Sequence, residues 1–240
     1  MTNMDLPNKD ETAKKEMFHS YDKKIDDLYT FRDKFYILNE ASTSPDDRNQ
    51  ELMRKMNELI EELESLDESK FDSKSSYLTL VGKTYNVWPE YSQKACDSLT
   101  KAIKLDPKCV DAWNYLGECY WKKRDFEMCK NCFEQSSNIT KNKLSLRGMS
   151  MVMRQLINVP VNKEQLQNQQ AASSQTQQQQ QMAKYDTIKN LLEVSIKYAK
   201  ESLQLDVKDG MSWYVIFLEE IKFIIKPKSL SNGTKSMSVK

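Results

Sequence analysis

Two segments of this chain repeat each other, and this repeat constrains the fold more than any other feature of the sequence. The corresponding positions, offset by 34 or 35 residues, are Gly82 with Gly117, Tyr85 with Tyr120 and Ala95 with Cys129. One extra residue in the inner loop of the first copy, at 86–92, accounts for the difference of one. A unit of this length cannot bury a hydrophobic face alone, so the sequence predicts that successive copies stack on one another.

The spacing inside the second copy is that of a tetratricopeptide repeat. Trp113-x2-Leu116-Gly117-x2-Tyr120 is followed by Cys129-x3-Phe133, a pattern typical of two antiparallel helices. Only five glycines and six prolines interrupt a chain rich in residues that favour helix. The predicted fold is therefore all-α: a right-handed tetratricopeptide-repeat superhelix of antiparallel helix pairs, preceded by an N-terminal helical pair.

A glycine in the middle of a predicted helix indicates a close helix crossing. Glycine in a helix interior costs about 1 kcal/mol relative to alanine, so we expect a Cβ at Gly117 to collide with the second helix of its pair. Small residues at Cys129 and Ser136 would serve the same contact from the other side. The residues to which we assign this structural role, and no chemistry, are Gly82, Tyr85, Ala95, Pro107, Trp113, Leu116, Gly117, Tyr120, Cys129 and Phe133.

The rest of the sequence divides the chain into six predicted segments. Ser44-Pro45-Asp46-Asp47 is a helix start signal between two stretches with apolar residues at helical spacing. A third repeat is split: its first helix is predicted at 143–157, with Ser150 at the small-residue position, and its second helix at 184–205. A fourth repeat begins at 209–214 and places Trp213 in the position of Trp113. The segments are a disordered N-terminus at 1–15, the N-terminal helical pair at 16–70, repeats with the first helix of the third at 71–160, a disordered Gln-rich insertion at 161–182, the remaining repeat helices at 183–226 and a disordered tail at 227–240.

Charge and apolar content argue against nucleic-acid and membrane partners. The net charge is +1, and Lys122-Lys123-Arg124 is interpreted as a basic helix end, so no direct sequence-specific nucleic-acid binding is expected. The start lacks the apolar core of a signal peptide, and the longest apolar run, 215–225, is 11 residues with three charges. Five cysteines indicate reduced thiols. We expect a cytoplasmic protein, with a nuclear location also compatible.

No set of residues in the sequence points to catalysis. Cys129-x2-Cys132 is the one metal-like spacing, but zinc needs a second pair of ligands, and the single histidine, His19, is distant in sequence. A Gly-rich phosphate loop and a Ser-His-Asp set are both absent from the sequence. We therefore expect a protein that is not an enzyme, without a metal or a cofactor.

The first helices of stacked repeats line a concave surface, which predicts where a partner would bind. Mixed Asn, Lys, Arg and Glu suit an extended peptide, because amides can bond its backbone and Arg its carboxylates. A merely solvated face could have the same composition, but the architecture favours a peptide groove. The predicted groove residues are Lys83 and Asn86 in the first repeat, Asn114, Glu118, Trp121 and Lys122 in the second, and Arg147, Met151 and Arg154 in the third, with Thr79 and Asp111 on the same faces.

Several longer stretches go beyond the generic repeat. They are the loop NVWPEYS at 86–92, the segments AWNYLGECYWKKRDF, NKLSLRGMSMVMRQL and LDVKDGMSWY, and Leu28-Tyr29-x-Phe31-Arg32-Asp33 near the N-terminus. Together they resemble the tetratricopeptide repeat protein 5 (Strap) family. The resemblance runs from about residue 20 to residue 214 and is interrupted by the Gln-rich tract.

This resemblance implies a role in tubulin autoregulation. The family recognises the first residues of nascent α- and β-tubulin, Met-Arg-Glu with Ile or Cys, at the ribosome exit. It then recruits an adaptor that links to a deadenylase, and tubulin mRNA decays. Arg154, in Ser150-Met151-Val152-Met153-Arg154, matches the family arginine that would pair with the acidic residue of this peptide.

A nuclear role as cofactor of a stress-responsive acetyltransferase transcription complex is also attributed to the family. A transcriptional cofactor or a general interaction scaffold of the stress response is therefore the alternative function.

Three departures separate this chain from the family pattern. Arg124 stands where the family has a turn glycine, and the Gln-rich tract replaces a shorter acidic linker. After Trp213-Tyr214 the family's Leu-Gly-Asn is missing, and so are its later repeats and its C-terminal oligonucleotide-binding-like domain. We expect 215–240 to be a truncated or misjoined end.

Overall fold

Helices make up the regular secondary structure of the residues that the computed structural model describes, which are 9–38, 45–157 and 177–225. They are α1 (Lys9–Leu38), α2 (Pro45–Ser65), α3 (Lys74–Tyr85), α4 (Gln93–Leu105), α5 (Val110–Lys123), α6 (Phe126–Ile139), α7 (Lys143–Leu156), α8 (Gln177–Leu205) and α9 (Gly210–Ile225), with a 3-10 turn at Glu68–Lys70. Helices that follow one another pack in pairs, which confirms the predicted all-α repeat fold. Across these ranges, no helix is long and apolar enough to span a bilayer.

The chain forms two compact units, Met1–Ile139 and Thr140–Lys240. In the first unit, α2 begins at Pro45 with two acidic residues in its first turn. The fixed φ of proline and the negative charges both favour a helix start there. Ile25 and Leu28 of α1 are buried in one apolar cluster with Leu52 and Leu63 of α2. This cluster joins the N-terminal helices to the first repeat.

Helix α1 begins earlier than the sequence suggested. It starts at Lys9, inside the segment 1–15 predicted to be disordered, and residues 1–8 lie outside the described part of the chain. Lys15 Nζ lies 2.6 Å from Glu11 Oε1, and Lys14 Nζ lies 3.7 Å from Asp10 Oδ2, both at i,i+4 spacing. Such pairs, with acidic residues in the first turn, favour helix over a frayed end.

Two helix pairs, α3 with α4 and α5 with α6, form the predicted repeats of the first unit. Ser73 and Ser92 cap the first pair, accepting hydrogen bonds from the backbone N–H groups of Ser76 and Ala95. A Cβ added at Gly82 would lie 2.5 Å from Leu99 Cγ, and one added at Gly117 would lie 2.8 Å from Phe133 Cε1. The predicted close crossing at both glycines is confirmed.

The second unit contains the third repeat. Helix α7 is capped by Asn142, whose Oδ1 accepts from the Ser145 N–H at 2.8 Å, and it packs against α8. Ser195 Oγ donates to the Ser150 carbonyl at 2.9 Å across this pair, and both serines are fully buried. Ser150 therefore occupies the small-residue position predicted for it, because only a short side chain allows such a direct contact between helices.

Helix α8 begins at Gln177, so residues 177–182 of the insertion predicted to be disordered are helical. Glutamine has a good helix propensity, which favours continuation of the helix through this stretch. Residues 158–176, which hold the rest of the predicted insertion, lie outside the described residues, as does the predicted tail at 227–240.

Helix α9 starts as the first helix of a fourth repeat. The indole Nε1 of Trp213 donates to the Val207 carbonyl at 2.8 Å, and that of Trp113 donates to the Pro107 carbonyl at 2.9 Å. Asp206 accepts from the Lys208 N–H, as Asp106 accepts from the Lys108 N–H. The predicted equivalence of Trp213 and Trp113 therefore extends to their hydrogen bonds.

Candidate functional site

The predicted groove residues of the first unit meet helix α1. Lys83 projects from α3, is 3% exposed, and its Nζ lies 2.6 Å from Asp22 Oδ1 and 2.6 Å from Asp26 Oδ1 of α1. The ammonium also lies 5.0 Å from the centre of the Tyr115 ring. Burial alone would lower the pKa of Lys83, but Tyr115 and the two carboxylates outweigh it and raise the pKa. Lys83 is thus a permanent cation inside an ion-pair cluster.

Asn86, at the end of α3, joins three elements through one fully buried amide. Its Nδ2 donates to the Tyr29 hydroxyl of α1 at 3.2 Å and to Glu118 Oε2 of α5 at 3.0 Å. Its Oδ1 accepts from Lys122 Nζ at 2.9 Å and from Cys119 Sγ at 3.2 Å. A buried amide satisfied in this way fixes the relative positions of α1, α3 and α5.

Lys122 closes the same network from the end of α5. Its Nζ donates to the Asn86 carbonyl, to Asn86 Oδ1 at 2.9 Å and to the Trp88 carbonyl at 2.7 Å. Burial lowers the pKa of Lys122 to about 8, against an opposing contribution from Glu118. The lysine therefore ties the inner loop of the first repeat to the first helix of the second.

Helix α1 supplies two further contacts to this face. The Tyr29 hydroxyl donates to the Lys83 carbonyl at 3.4 Å, and its ring centre lies 6.0 Å from that of Tyr115. Arg32 Nη1 donates to the Val87 carbonyl at 3.1 Å. The residues that sequence reasoning missed are Asp22, Asp26, Tyr29 and Arg32. These four residues stand at i, i+4, i+7 and i+10 and form a polar stripe beside the apolar stripe of α1. This polar stripe is the sequence feature that could have identified them.

The other predicted residues of the first unit are placed around this network. Asn114 of α5 is 3% exposed, and Thr79 of α3 is 2% exposed with its hydroxyl donating to the Ser75 carbonyl at 2.8 Å. Trp121 packs edge-on against Phe126, with ring centres 5.5 Å apart. Asp111, in the first turn of α5, is exposed. Their part in peptide binding stays a prediction.

The predicted groove residues of the second unit share one face of α7. Arg147, Met151 and Arg154 stand at i, i+4 and i+7, which places them one above the other along the helix. Arg154, in the last turn, is 6% exposed, whereas Arg147 and Met151 are partly buried. The structure therefore gathers all three residues of the third repeat on a single helix face.

Arg147 is anchored by the start of α9. Its Nη1 donates to Asp209 Oδ2 at 2.6 Å, and the same carboxylate caps α9 by accepting from the Ser212 N–H at 3.0 Å and from its hydroxyl at 2.6 Å. Burial would raise the pKa of Asp209, but the bonds from Ser212 and Arg147 prevail and lower it. This carboxylate therefore stays charged and fixes the side chain of Arg147 on the α7 face.

Three of the five cysteines have thiols whose pKa is raised by burial. Burial raises the pKa of Cys119 to about 12 and that of Cys132 to about 12, and it raises the pKa of Cys129 as well. A thiol that stays protonated is a poor nucleophile and a poor metal ligand. No cluster of three or more His, Cys, Asp or Glu side chains suited to a metal ion occurs in the part of the chain that the structure describes.

Comparison with known proteins agrees with this architecture. A family model described as tetratricopeptide repeat matches residues 110–143, which cover α5 and α6. The match coincides with the second repeat, which contains the close helix crossing at Gly117 and the hydrogen bond of the Trp113 indole.

Curated relatives extend the match over most of the chain. The chain is 34% identical over 192 residues to tetratricopeptide repeat protein 5 of Homo sapiens, which is 80% of this chain and 38% of the relative. It is 33% identical over 210 residues to that protein of Bos taurus, covering 86% and 41%, and 33% identical over 193 residues to that of Mus musculus, covering 80% and 38%. The chain thus spans about two fifths of the length of these relatives. With the repeat architecture, these matches show that the chain is a tetratricopeptide-repeat protein that is similar to tetratricopeptide repeat protein 5 over about four fifths of its own length.

Proposed function

We propose that this chain is a non-catalytic reader of the nascent tubulin N-terminus. It would bind Met-Arg-Glu followed by Ile or Cys at the ribosome and recruit an adaptor that brings a deadenylase to tubulin mRNA. The observation that carries the proposal is the similarity to tetratricopeptide repeat protein 5. A match over 192 residues of a 240-residue chain necessarily includes α7, which holds the Ser150–Arg154 motif.

The α7 face has the chemistry that such a peptide needs. Arg154 keeps its charge at every physiological pH, and its guanidinium can bind a carboxylate through two parallel hydrogen bonds. Because Arg154 is 6% exposed, a glutamate that reached it would pair in surroundings poorer in water than the surface. Arg147 and Met151 extend this face towards the start of the helix. Charge would therefore select the acidic third residue of the peptide.

The direct test is fluorescence polarisation of a labelled Met-Arg-Glu-Ile peptide with a free N-terminus, titrated with the full chain. Reversing the charge at the pairing residue, Arg154→Glu, should weaken binding at least about ten-fold, since an interfacial charge pair becomes a repulsion. The matched control is Arg54→Glu, which makes the same charge change on the exposed face of α2. It should leave the affinity unchanged.

A charge-reversed peptide separates pairing from loss of fold. Met-Arg-Lys-Ile should bind the Arg154→Glu chain more tightly than it binds the unchanged chain. If Met-Arg-Glu-Ile binds both chains equally, the assignment of Arg154 is wrong. If the unchanged chain binds neither peptide, peptide reading by this chain is wrong.

One observation favours the alternative function, a transcriptional cofactor or general scaffold. Lys83, Asn86 and Lys122 were predicted to face a peptide, and their polar atoms bond to the chain itself. Fewer groove residues would then be available for tubulin than the sequence suggested. Nuclear enrichment of the protein without ribosome co-sedimentation would favour this alternative, and co-sedimentation that is lost in Arg154→Glu would favour tubulin reading.

A further inference from the structure

Two cations in the first half of α7 are paired with acidic residues that stand between α8 and α9. Lys143 Nζ lies 2.7 Å from Asp206 Oδ2 and 3.8 Å from Asp209 Oδ1. Arg147 Nη1 lies 2.6 Å from Asp209 Oδ2. These four side chains carry two positive and two negative charges, so their charges balance on the helix that also holds Arg154.

The carboxylate of Asp209 is held in place by more than its ion pair. Its Oδ2 accepts from the Ser212 N–H at 3.0 Å and from the Ser212 hydroxyl at 2.6 Å. The Ser202 hydroxyl of α8 lies 2.7 Å from that of Ser212 and can donate to it, because Ser212 donates to Asp209. Both serines are fully buried. This network of hydrogen bonds fixes the carboxylate on the side of Arg147.

The position of Asp209 lets it cancel the charge of Arg147. The side chains of Arg147 and Asp209 are 19% and 13% exposed, so water and salt screen this pair less than a pair on the open surface. An acidic group that approaches the α7 face therefore meets an ion pair at Arg147 and not a full positive charge. This affects binding because Arg154 lies on the same face, seven residues further along the helix.

We infer that Asp209 is a specificity-determining residue, which acts through Arg147 and keeps the α7 face from favouring peptides with a second acidic residue. The inference rests on the proposed function, in which Arg154 pairs with the acidic third residue of the peptide. Seven residues of helix place Arg147 about 10 Å from Arg154 along α7. In an extended peptide, the first and fifth side chains project to the same side as the third, about 7 Å away. An acidic residue at one of these two positions would therefore come within reach of Arg147.

Asp209→Asn tests the inference, because asparagine caps a helix as well as aspartate does and removes only the negative charge. Fluorescence polarisation compares the peptide Met-Arg-Glu-Ile-Gln with two doubly acidic peptides, Met-Arg-Glu-Ile-Glu and Glu-Arg-Glu-Ile-Gln. Relative to the unchanged chain, Asp209→Asn should shift the ratio of affinities at least about five-fold in favour of one doubly acidic peptide, since the charge of Arg147 is no longer cancelled. The peptide that gains also shows in which direction it runs along α7. Asp186→Asn, the same charge change at an exposed position of α8, is the matched control and should leave the ratios unchanged.

The ratio of affinities separates specificity from loss of fold, because a loosened α9 would weaken all three peptides alike. Adding Arg147→Gln to Asp209→Asn should abolish the gain, since the cation is then absent. Unchanged ratios in Asp209→Asn, or a gain that survives Arg147→Gln, would overturn the inference while leaving the proposed function intact wherever Met-Arg-Glu-Ile-Gln still binds. If only Asp209→Asn binds, and binds a doubly acidic peptide, the proposed function is wrong and the control of charge by Asp209 is supported. If neither chain binds any of the peptides, both are wrong.

Discussion

Arg124 ends α5 with a left-handed backbone, at φ 63°. Its N–H bonds to the Trp121 carbonyl at 3.0 Å, and the Asp125 N–H bonds to the Tyr120 carbonyl at 3.0 Å, so this conformation closes the helix. A side chain with a Cβ costs about 1 kcal/mol there, and glycine largely avoids that cost. We expect Arg124→Gly to raise the free energy of unfolding by about 0.5–1 kcal/mol, measured by urea denaturation followed by circular dichroism.

Arg124→Ala is the control for this prediction. Alanine removes the guanidinium but keeps the Cβ, so it should not raise the free energy of unfolding. Equal stabilisation by alanine and glycine would show that the arginine side chain, and not the backbone conformation, is unfavourable at this turn.

Single residues were the part of this molecule most open to prediction from sequence. The cost of glycine inside a helix indicated a close crossing, and Gly117 does lie against Phe133. The repeat spacing likewise predicted Trp213 as the counterpart of Trp113. Both inferences rest on local spacing, which a fixed helix geometry converts directly into position.

The packing partner of helix α1 could not be predicted from the sequence. Its periodicity predicted a helix with a buried stripe at Ile25 and Leu28, but not the partner of its polar stripe. Asp22 and Asp26 pair with Lys83, about 60 residues away in sequence. Periodicity defines which face of a helix is apolar and does not define which element packs on the other. The groove was predicted from residue positions on α3 and α5 alone. The sequence did not indicate that α1 packs against those positions.

Lys122, which bonds α5 to the loop at 86–92, gives a prediction for how the stability of the fold depends on pH. The pKa of Lys122 is lowered from 10.5 to about 8 in the folded chain. Between these values the unfolded chain binds the additional proton, so stability due to this group rises as pH increases from 8 to 10.5. Lys122→Met lacks this group and should lack the rise.

The measurement is the difference in free energy of unfolding between the unchanged chain and Lys122→Met, by urea denaturation at pH 7 and about pH 9.5. Between these two pH values, the free energy of unfolding of the unchanged chain should rise by about 1–2 kcal/mol relative to that of Lys122→Met. Buried tyrosines and Lys83 titrate alike in both chains, so their effects cancel. A constant difference, or one that falls with pH, would contradict a lowered pKa for Lys122.

At the scale of the whole molecule, the chain is a series of helix pairs in two separately compact units. In repeat proteins each pair contacts its neighbours only, so stability is roughly a sum of local contributions. The family match could be anticipated from the repeat and loop motifs. The grouping of helices into units could not, because it depends on contacts summed over many side chains.

This organisation predicts that damage to one repeat stays local. An alanine Cβ at Gly82 would lie 2.5 Å from Leu99 Cγ, inside a fully buried core, so Gly82→Ala should cost about 1–2 kcal/mol despite alanine's better helix propensity. Hydrogen exchange should show faster exchange of amides in α3 and α4, with α7 and α8 changed much less. Gly210→Ala, where an added Cβ meets nothing within 4 Å, should leave exchange in both units unchanged. Equal acceleration in both units would mean that the chain unfolds as one cooperative block, contrary to the additive stability of stacked repeats.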